Sequence, residues 1–238
     1  MKSKLRKKIT QLIAKVGNAR YCPICEENYT YFDSAGLIPR KNSRCIGCGS
    51  LERHRLCWLY FLRCTSIFST SPKKFLHIAP EIIFKKKFAS HFPDGTYLTA
   101  DLLADDVDIK MDITAIQFPD GEFDFIYCSH VFEHIPDDKK AMREIHRVLS
   151  VDGTAILLVP ITTTRTYEDP TVDNPHDREA LYGQNDHVRR YGPDYQDRLS
   201  EAGFHVEKFQ PSDFLSKKEI DKMVITKAAG DIFVCNKQ

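Results

Sequence analysis

The chain has 238 residues, a length that suits one moderate α/β domain with a small appendage. Hydrophobic residues make up 42% and charged residues 28%, enough for a real core under an ordinary polar surface. The net charge of +1 argues against a surface built throughout for nucleic acid, and no stretch approaches the ~20 apolar residues that a membrane span needs.

The basic charge is uneven. Lys2, Lys4, Arg6, Lys7, Lys8, Lys15 and Arg20 fall in the first 20 residues, with no acid among them. Leu5, Ile9, Leu12, Ile13 and Val16 follow helical spacing, which predicts an amphipathic helix over 1–18. Its basic side reads either as a solvated face or as a surface for phosphates or anionic lipid. The segment lacks the continuous apolar run of a secretory signal, so a cytoplasmic protein is expected. Eight cysteines in such a chain point to metal or free thiols rather than disulfides.

Cys22-Pro-Ile-Cys25 and Cys45-Ile-Gly-Cys48 are two C-x-x-C pairs separated by nineteen residues. Two such turns complete a tetrahedral sulfur shell, which suits a structural Zn²⁺ with no open position. The alternatives are a redox dithiol or unrelated core cysteines, but a redox motif has no need of a matched second pair. Cys57, Cys64, Cys128 and Cys235 sit in apolar contexts and read as small core residues. A helix is predicted over 50–64, with Ser50 as N-cap.

From about residue 74, strands and helices alternate, the sign of a parallel sheet. Strands are predicted at Phe75–Ala79, Tyr97–Ala100, Val107–Ile109, Phe123–Cys128 and Thr154–Pro160, and near 204–209 and 231–235. Pro80 is expected to open a helix running to His91, and Ala141, Met142, Ile145, Val148 and Leu149 mark the buried face of a helix over 137–149. Asp152-Gly153 is expected to turn the chain into the fifth strand. Tyr195, Leu199 and Ala202 share one face of a later helix that Gly203 stops.

In an open α/β sheet the ligand lies across the carboxyl ends of the strands. Asp101 ends the second strand, with Leu102 beside it, and a carboxylate there can accept both hydroxyls of a ribose. Asp112 follows the third strand, where it can accept an adenine amino group with Ile113 against the ring. Each Asp alone also fits a cap or turn; two at consecutive strand ends favour a ligand.

The run Asp112-Ile-Thr, Phe118-Pro-Asp-Gly-Glu-Phe-Asp124, Glu133-His134-Ile, Ala141 to Leu149 and Asp152-Gly153 resembles the class I, Rossmann-like S-adenosylmethionine-dependent methyltransferases. The resemblance covers about residues 74–238. It implies a doubly wound, mostly parallel seven-stranded sheet and S-adenosylmethionine as the methyl donor. The cysteine spacing adds a small zinc-ribbon-like module at the N-terminus, so two regions are expected, 1–64 and 65–238. Ser129 and His130, after the fourth strand, fall where such folds hold the methionine part. His134 matches a position that faces the substrate in some relatives; a capping or packing role is the alternative. The chain departs from the family's acidic, Gly-rich first motif, carrying Leu76-His77-Ile78-Ala79-Pro80-Glu81 instead. His77, Ala79 and Glu81 are the expected cofactor contacts there, with Glu81 replacing the missing acid, or else cofactor binding is weakened. Missing glycines also argue against a dehydrogenase, whose pyrophosphate needs close backbone approach.

Residues 161–192 are polar and long for a connection, and read either as a lid over the site or as a solvated loop. His187 within them and His134 are the candidate bases for a hydroxyl acceptor. The favoured acceptor is a small-molecule or glycan hydroxyl. The alternatives are RNA, through the module and the basic N-terminus, and a non-catalytic binding protein. Neither acceptor nor oligomeric state is legible.

Overall fold

The computed structural model describes residues 16–36, 38–70 and 72–237. The chain divides into two compact units. One combines the chain up to Ser71 with Gln210–Asp231; the other is Pro72–Phe209 with Ile232–Gln238.

The first unit begins with two antiparallel hairpins. Strand β1 (Arg20–Cys22) pairs with β2 (Glu27–Tyr29), and β3 (Asp33–Ala35) with β4 (Arg40–Arg44). Helix α1 (Glu52–Cys64) follows, and the short helix α2 (Ile67–Thr70) closes this part. Ser50 is not the N-cap of α1. That position belongs to Leu51, whose N–H donates to His54 Nδ1 at 3.1 Å. Two cysteine sulfurs claim the Ser50 hydroxyl instead: it lies 3.3 Å from Cys22 Sγ and 3.2 Å from Cys48 Sγ. The helix predicted over 1–18 falls on residues outside those described up to Lys15; Val16 is exposed in a turn.

Gln210–Asp231, expected with the second region, folds with the first. The reason is Arg55, fully buried, whose guanidinium donates to the Ser43 and Ser50 carbonyls and to those of Met223 and Val224. A buried guanidinium needs acceptors for all its N–H groups, and backbone from both segments supplies them.

The second unit is a seven-stranded sheet. In chain order its strands are β5 (Phe75–Ile78), β6 (Tyr97–Asp101), β7 (Ile109–Lys110), β8 (Phe123–Ser129), β9 (Leu149–Leu158), β12 (Phe204–Phe209) and β13 (Ile232–Lys237). Their spatial order is β12-β13-β9-β8-β5-β6-β7, with β5 to β9 parallel and the β12/β13 side antiparallel. This is the Rossmann-like architecture expected from the sequence. The central strands are apolar along their length because helices cover a parallel sheet on both faces: every residue of β5 is buried, and six of seven in β8.

Helix α3 (Ile82–Ala89) starts later than expected. Pro80 precedes it and Glu81 is its N-cap. Phe84 and Phe88 pack with Phe75, Tyr97 and Tyr127. Helix α4 (Asp138–Val148) is capped by Asp137, which accepts from Lys140 N at 2.9 Å, and buries Ala141, Met142, Ile145 and Val148. Asp152-Gly153 is not a turn before β9. It lies within the strand, where pairing jumps from Phe123↔Leu149 to Phe125↔Thr154, a bulge that absorbs the extra residues. Cys57, Cys128 and Cys235 are buried as expected, but Cys64 is exposed at the end of α1, where the helix leaves the core.

Candidate active site

The four cysteines of the first unit converge. Each C-x-x-C turn folds back on itself: Glu26 N donates to Cys22 O at 2.8 Å, and Gly49 N to Cys45 O at 2.9 Å. Each turn ends in a left-handed residue, Glu26 (φ 58°) and Gly49 (φ 79°). The sulfurs stand 3.6 Å apart for Cys22–Cys48 and 3.7 Å for Cys25–Cys45. Tetrahedral bonds of ~2.3 Å to one ion would place sulfurs about 3.8 Å apart, so the donor set fits Zn²⁺. No disulfide links them. Gly47 is required here, because a Cβ would fall 1.9 Å from the Tyr29 hydroxyl, which itself lies 3.5 Å from Cys25 Sγ.

In the second unit the strand order reverses between β5 and β8, so the crevice beyond their carboxyl ends is where a doubly wound fold takes its ligand. Ala79 leaves β5 with φ 48°, its N–H donating to Ala100 O at 2.8 Å. Glu81 follows, and Ser129 at the end of β8 donates to Glu81 Oε1 at 3.4 Å across the crevice. His130, next along, is left-handed as well, with φ 58°. Non-glycine residues in this conformation are uncommon, and two of them at neighbouring strand ends mark a place where backbone direction is over-determined.

Asp101 ends β6. Its Oδ1 accepts from Leu103 N and Ala104 N, both at 2.7 Å, so it shapes the loop it begins, and Leu102 is exposed beside it. Asp112 is exposed, its Oδ1 accepting from Thr114 N and Oγ1, while Ile113 is buried. The sequence thus places both carboxylates at strand ends, each held by its own turn.

His77 is a correction. Its side chain points into the core, wholly buried between Phe75, Phe88, Tyr97 and Tyr127, with Nδ1 2.7 Å from the Tyr97 hydroxyl. Burial pushes its pKa down to about 4. Alternation along β5 turns residue 77 to the face on which Phe88 of α3 packs, so its imidazole is walled in by aromatic rings.

Residues 161–192 are anchored rather than loose. They form strand β10 (Tyr167–Glu168), helix α5 (Pro175–Tyr182) and strand β11 (Arg189–Arg190), β10 pairing antiparallel with β11. Arg189 is buried. It donates to the Phe132, Ile135 and Pro136 carbonyls and at 2.7 Å to Glu168 Oε2. Asp138 meets Tyr191 Oη at 2.6 Å and Arg198 at 2.7 Å. A cavity lined by Pro136, Asp138, Glu168, Val172, Arg178 and Arg198 adjoins this network.

The anchored segment brings His187 against His134, ring centroids 4.6 Å apart and nearly perpendicular. Val188 N donates to Glu133 O at 2.9 Å, fixing the approach. His134 Nδ1 lies 3.2 Å from Asp186 Oδ2, and His130 Nδ1 lies 3.3 Å from Glu133 Oε1. Burial and then the neighbouring His134 lower the pKa of His187. The structure therefore joins His134 to His187, sets His130 against Glu133, and leaves Asp101 and Asp112 at the ends of other strands. Sequence reading missed Glu133 and Asp186 as site residues. Their signal was the repeated acid-histidine pair, Glu133-His134 and Asp186-His187, which only proximity makes meaningful.

Comparison with known proteins agrees with this fold. Residues 83–157 match the methyltransferase domain family. A relative in Bacillus subtilis, described as an uncharacterized methyltransferase, YcgJ, is 39% identical over 59 residues, 25% of this chain and 22% of that protein. The aligned part thus spans about a fifth of the curated relative's length. The solved structure of YcgJ from Bacillus subtilis superposes with a TM-score of 0.50 at 18% identity, covering 78% of this chain and 99% of that one. An S-adenosylmethionine-dependent methyltransferase structure from Archaeoglobus fulgidus gives 0.48 at 14% identity, over 79% and 95% of the two chains. The YcgJ superposition bears on the fold alone, and the family match places a methyltransferase-domain pattern at residues 83–157. No helix among the described residues is long and apolar enough to cross a membrane.

Proposed function

We propose that the protein is an S-adenosylmethionine-dependent methyltransferase that methylates a polar hydroxyl on a small molecule or glycan. The observation that carries this is the crevice at the strand switch. It joins Ala79 and Glu81 to Ser129 and His130, the last two inside residues 83–157, which match the methyltransferase domain.

S-adenosylmethionine supplies a methyl group on a sulfonium, so an aligned acceptor needs little further activation. In this reading Asp101 accepts the ribose hydroxyls, and Asp112 with Ile113 holds the adenine. Glu81, across from Ser129, takes the role of the absent acidic motif toward the methionine amino group. Ala79 and His130 let the backbone turn away without glycines. His134 and His187 stand on the acceptor side, where a base removes the hydroxyl proton. The anchored segment 161–192 carries His187 to that position and lines it with polar groups. In the first unit the four sulfurs hold a structural Zn²⁺, their spacing matching a closed tetrahedral shell.

RNA is the second reading. Arg40, Arg44 and Arg53 lie near the cysteine turns, but Arg40 is engaged by Glu52 at 2.9 Å and Arg55 is buried. Neither of these two offers charge to phosphates.

Calorimetric titration with S-adenosylmethionine and S-adenosylhomocysteine tests the reading. Micromolar or tighter binding is expected. A folded protein that binds neither would move the assignment to the non-catalytic reading.

A further inference from the structure

Glu133, His134 and His187 present one ligand atom each, all within 4.8 Å of one another. Two come from the short 3₁₀ turn Phe132–His134 after β8, the third from the segment 161–192. We propose that these three residues bind a divalent transition-metal ion beside the methyl-transfer crevice, and that its open positions take a hydroxyl oxygen of the acceptor; with both imidazoles held by the ion, the acidified hydroxyl loses its proton to solvent rather than to His134 or His187. The assignment to the acceptor rests on the methyltransferase reading; the metal site itself does not.

Two buried groups aim into the cluster without a partner. Glu133 is 2% exposed, with Oε1 beside His130 and no hydrogen bond at Oε2. His187 is 6% exposed, with no hydrogen bond at Nε2. A buried carboxylate oxygen and a buried imidazole nitrogen left without partners are each unfavourable. One cation between them satisfies both.

The surroundings match what metal-bound histidines require. A ligating imidazole turns its other ring nitrogen to a carboxylate or carbonyl, which fixes ring and tautomer. His134 Nδ1 faces the Asp186 carboxylate, and at His187 the nitrogen without a hydrogen bond is Nε2. Each histidine therefore keeps Nε2 for the ion. Two imidazoles and one carboxylate form a nitrogen–oxygen set suited to Zn²⁺, Co²⁺, Fe²⁺ or Mn²⁺, and three protein ligands leave positions open. His134 is partly exposed, which gives ion and acceptor a way in.

The cluster also accounts for the anchoring of 161–192. Arg189, two residues beyond His187, donates to the Phe132, Ile135 and Pro136 carbonyls on either side of the Glu133-His134 pair. This brace holds ligands far apart in sequence in fixed relation, as a metal site demands.

The test is titration of protein carrying a single equivalent of zinc, held at the four cysteines, with Co²⁺ alone, followed by visible absorption and calorimetry. One equivalent is expected to bind, with weak d–d bands and no intense thiolate charge-transfer band, because its ligands hold no sulfur. Glu133→Gln and His187→Ala should each weaken binding at least about ten-fold, and Asp186→Asn about ten-fold through the loosened His134 ring. Circular dichroism checks that each variant is folded. Co²⁺ binding only at the cysteines, or undiminished by His187→Ala and Glu133→Gln, overturns the site. Co²⁺ bound at this site without S-adenosylmethionine binding would uphold the metal and sink its link to methyl transfer.

Discussion

Ala79 and His130, just past the last paired residues of neighbouring strands β5 and β8, share a left-handed backbone, with φ of 48° and 58°. Both strands must bend away at the same level for a crevice to open between them, and neither residue is glycine.

Ala79→Gly is expected to be tolerated and to tighten S-adenosylmethionine binding. A non-glycine left-handed residue costs about 1 kcal/mol, and glycine removes that strain while adding entropy to the unfolded chain. The Cβ also leaves the expected cofactor path. Calorimetry on the variant, with urea unfolding alongside, checks both parts. Weaker binding in an equally stable variant would show that the methyl group, not glycine, suits this turn.

Asp101→Asn separates the two duties of this residue. The amide keeps one oxygen for the Leu103 and Ala104 N–H groups, so the loop should persist. The other atom becomes a donor and no longer accepts a ribose hydroxyl. S-adenosylmethionine affinity should fall about ten-fold or more, equivalent to roughly 1.4 kcal/mol. Unchanged affinity would remove Asp101 from the ribose.

His77 makes the protein acid-sensitive. In the unfolded chain its ring takes a proton below about pH 6.5; in the fold burial delays that to about pH 4. The unfolded state therefore binds more protons between these values. Stability is fully present above about pH 6.5 and falls as pH drops toward 4, by on the order of 3 kcal/mol. His77→Phe should flatten this part of the profile of unfolding free energy against pH. A variant with the same acid slope as the parent would place the sensitivity elsewhere.

Cys45→Ser should release the metal and unfold the cysteine turns, because binding and folding are one equilibrium in such modules. Metal content and thermal unfolding report it. Arg55→Met should leave the metal bound yet destabilise this unit by about 3 kcal/mol, since carbonyls of Ser43, Ser50, Met223 and Val224 lose their donor. Retained stability in Arg55→Met would mean that water replaces the guanidinium.

The sequence by itself determined the features written in local pattern. Two C-x-x-C pairs specify four sulfurs on two turns whatever surrounds them. Apolar runs such as Phe123–Cys128 must be covered on both faces, and so order a parallel sheet. Asp101 and Asp112 are legible because a strand's end is a local property. Only the tertiary structure decided which way His77 points, since a strand buried on both faces gives no sign in sequence of which helix packs against which residue. It alone decided that Gln210–Asp231 returns to the first unit, because Arg55 must find carbonyls remote in sequence. The meeting of Glu133, His134 and His187 is of the same kind. Hydrophobic periodicity records what is buried but not beside what. Partners far apart along the chain are chosen by the path of the backbone, here by Arg189 fastening the returning segment to the turn after β8.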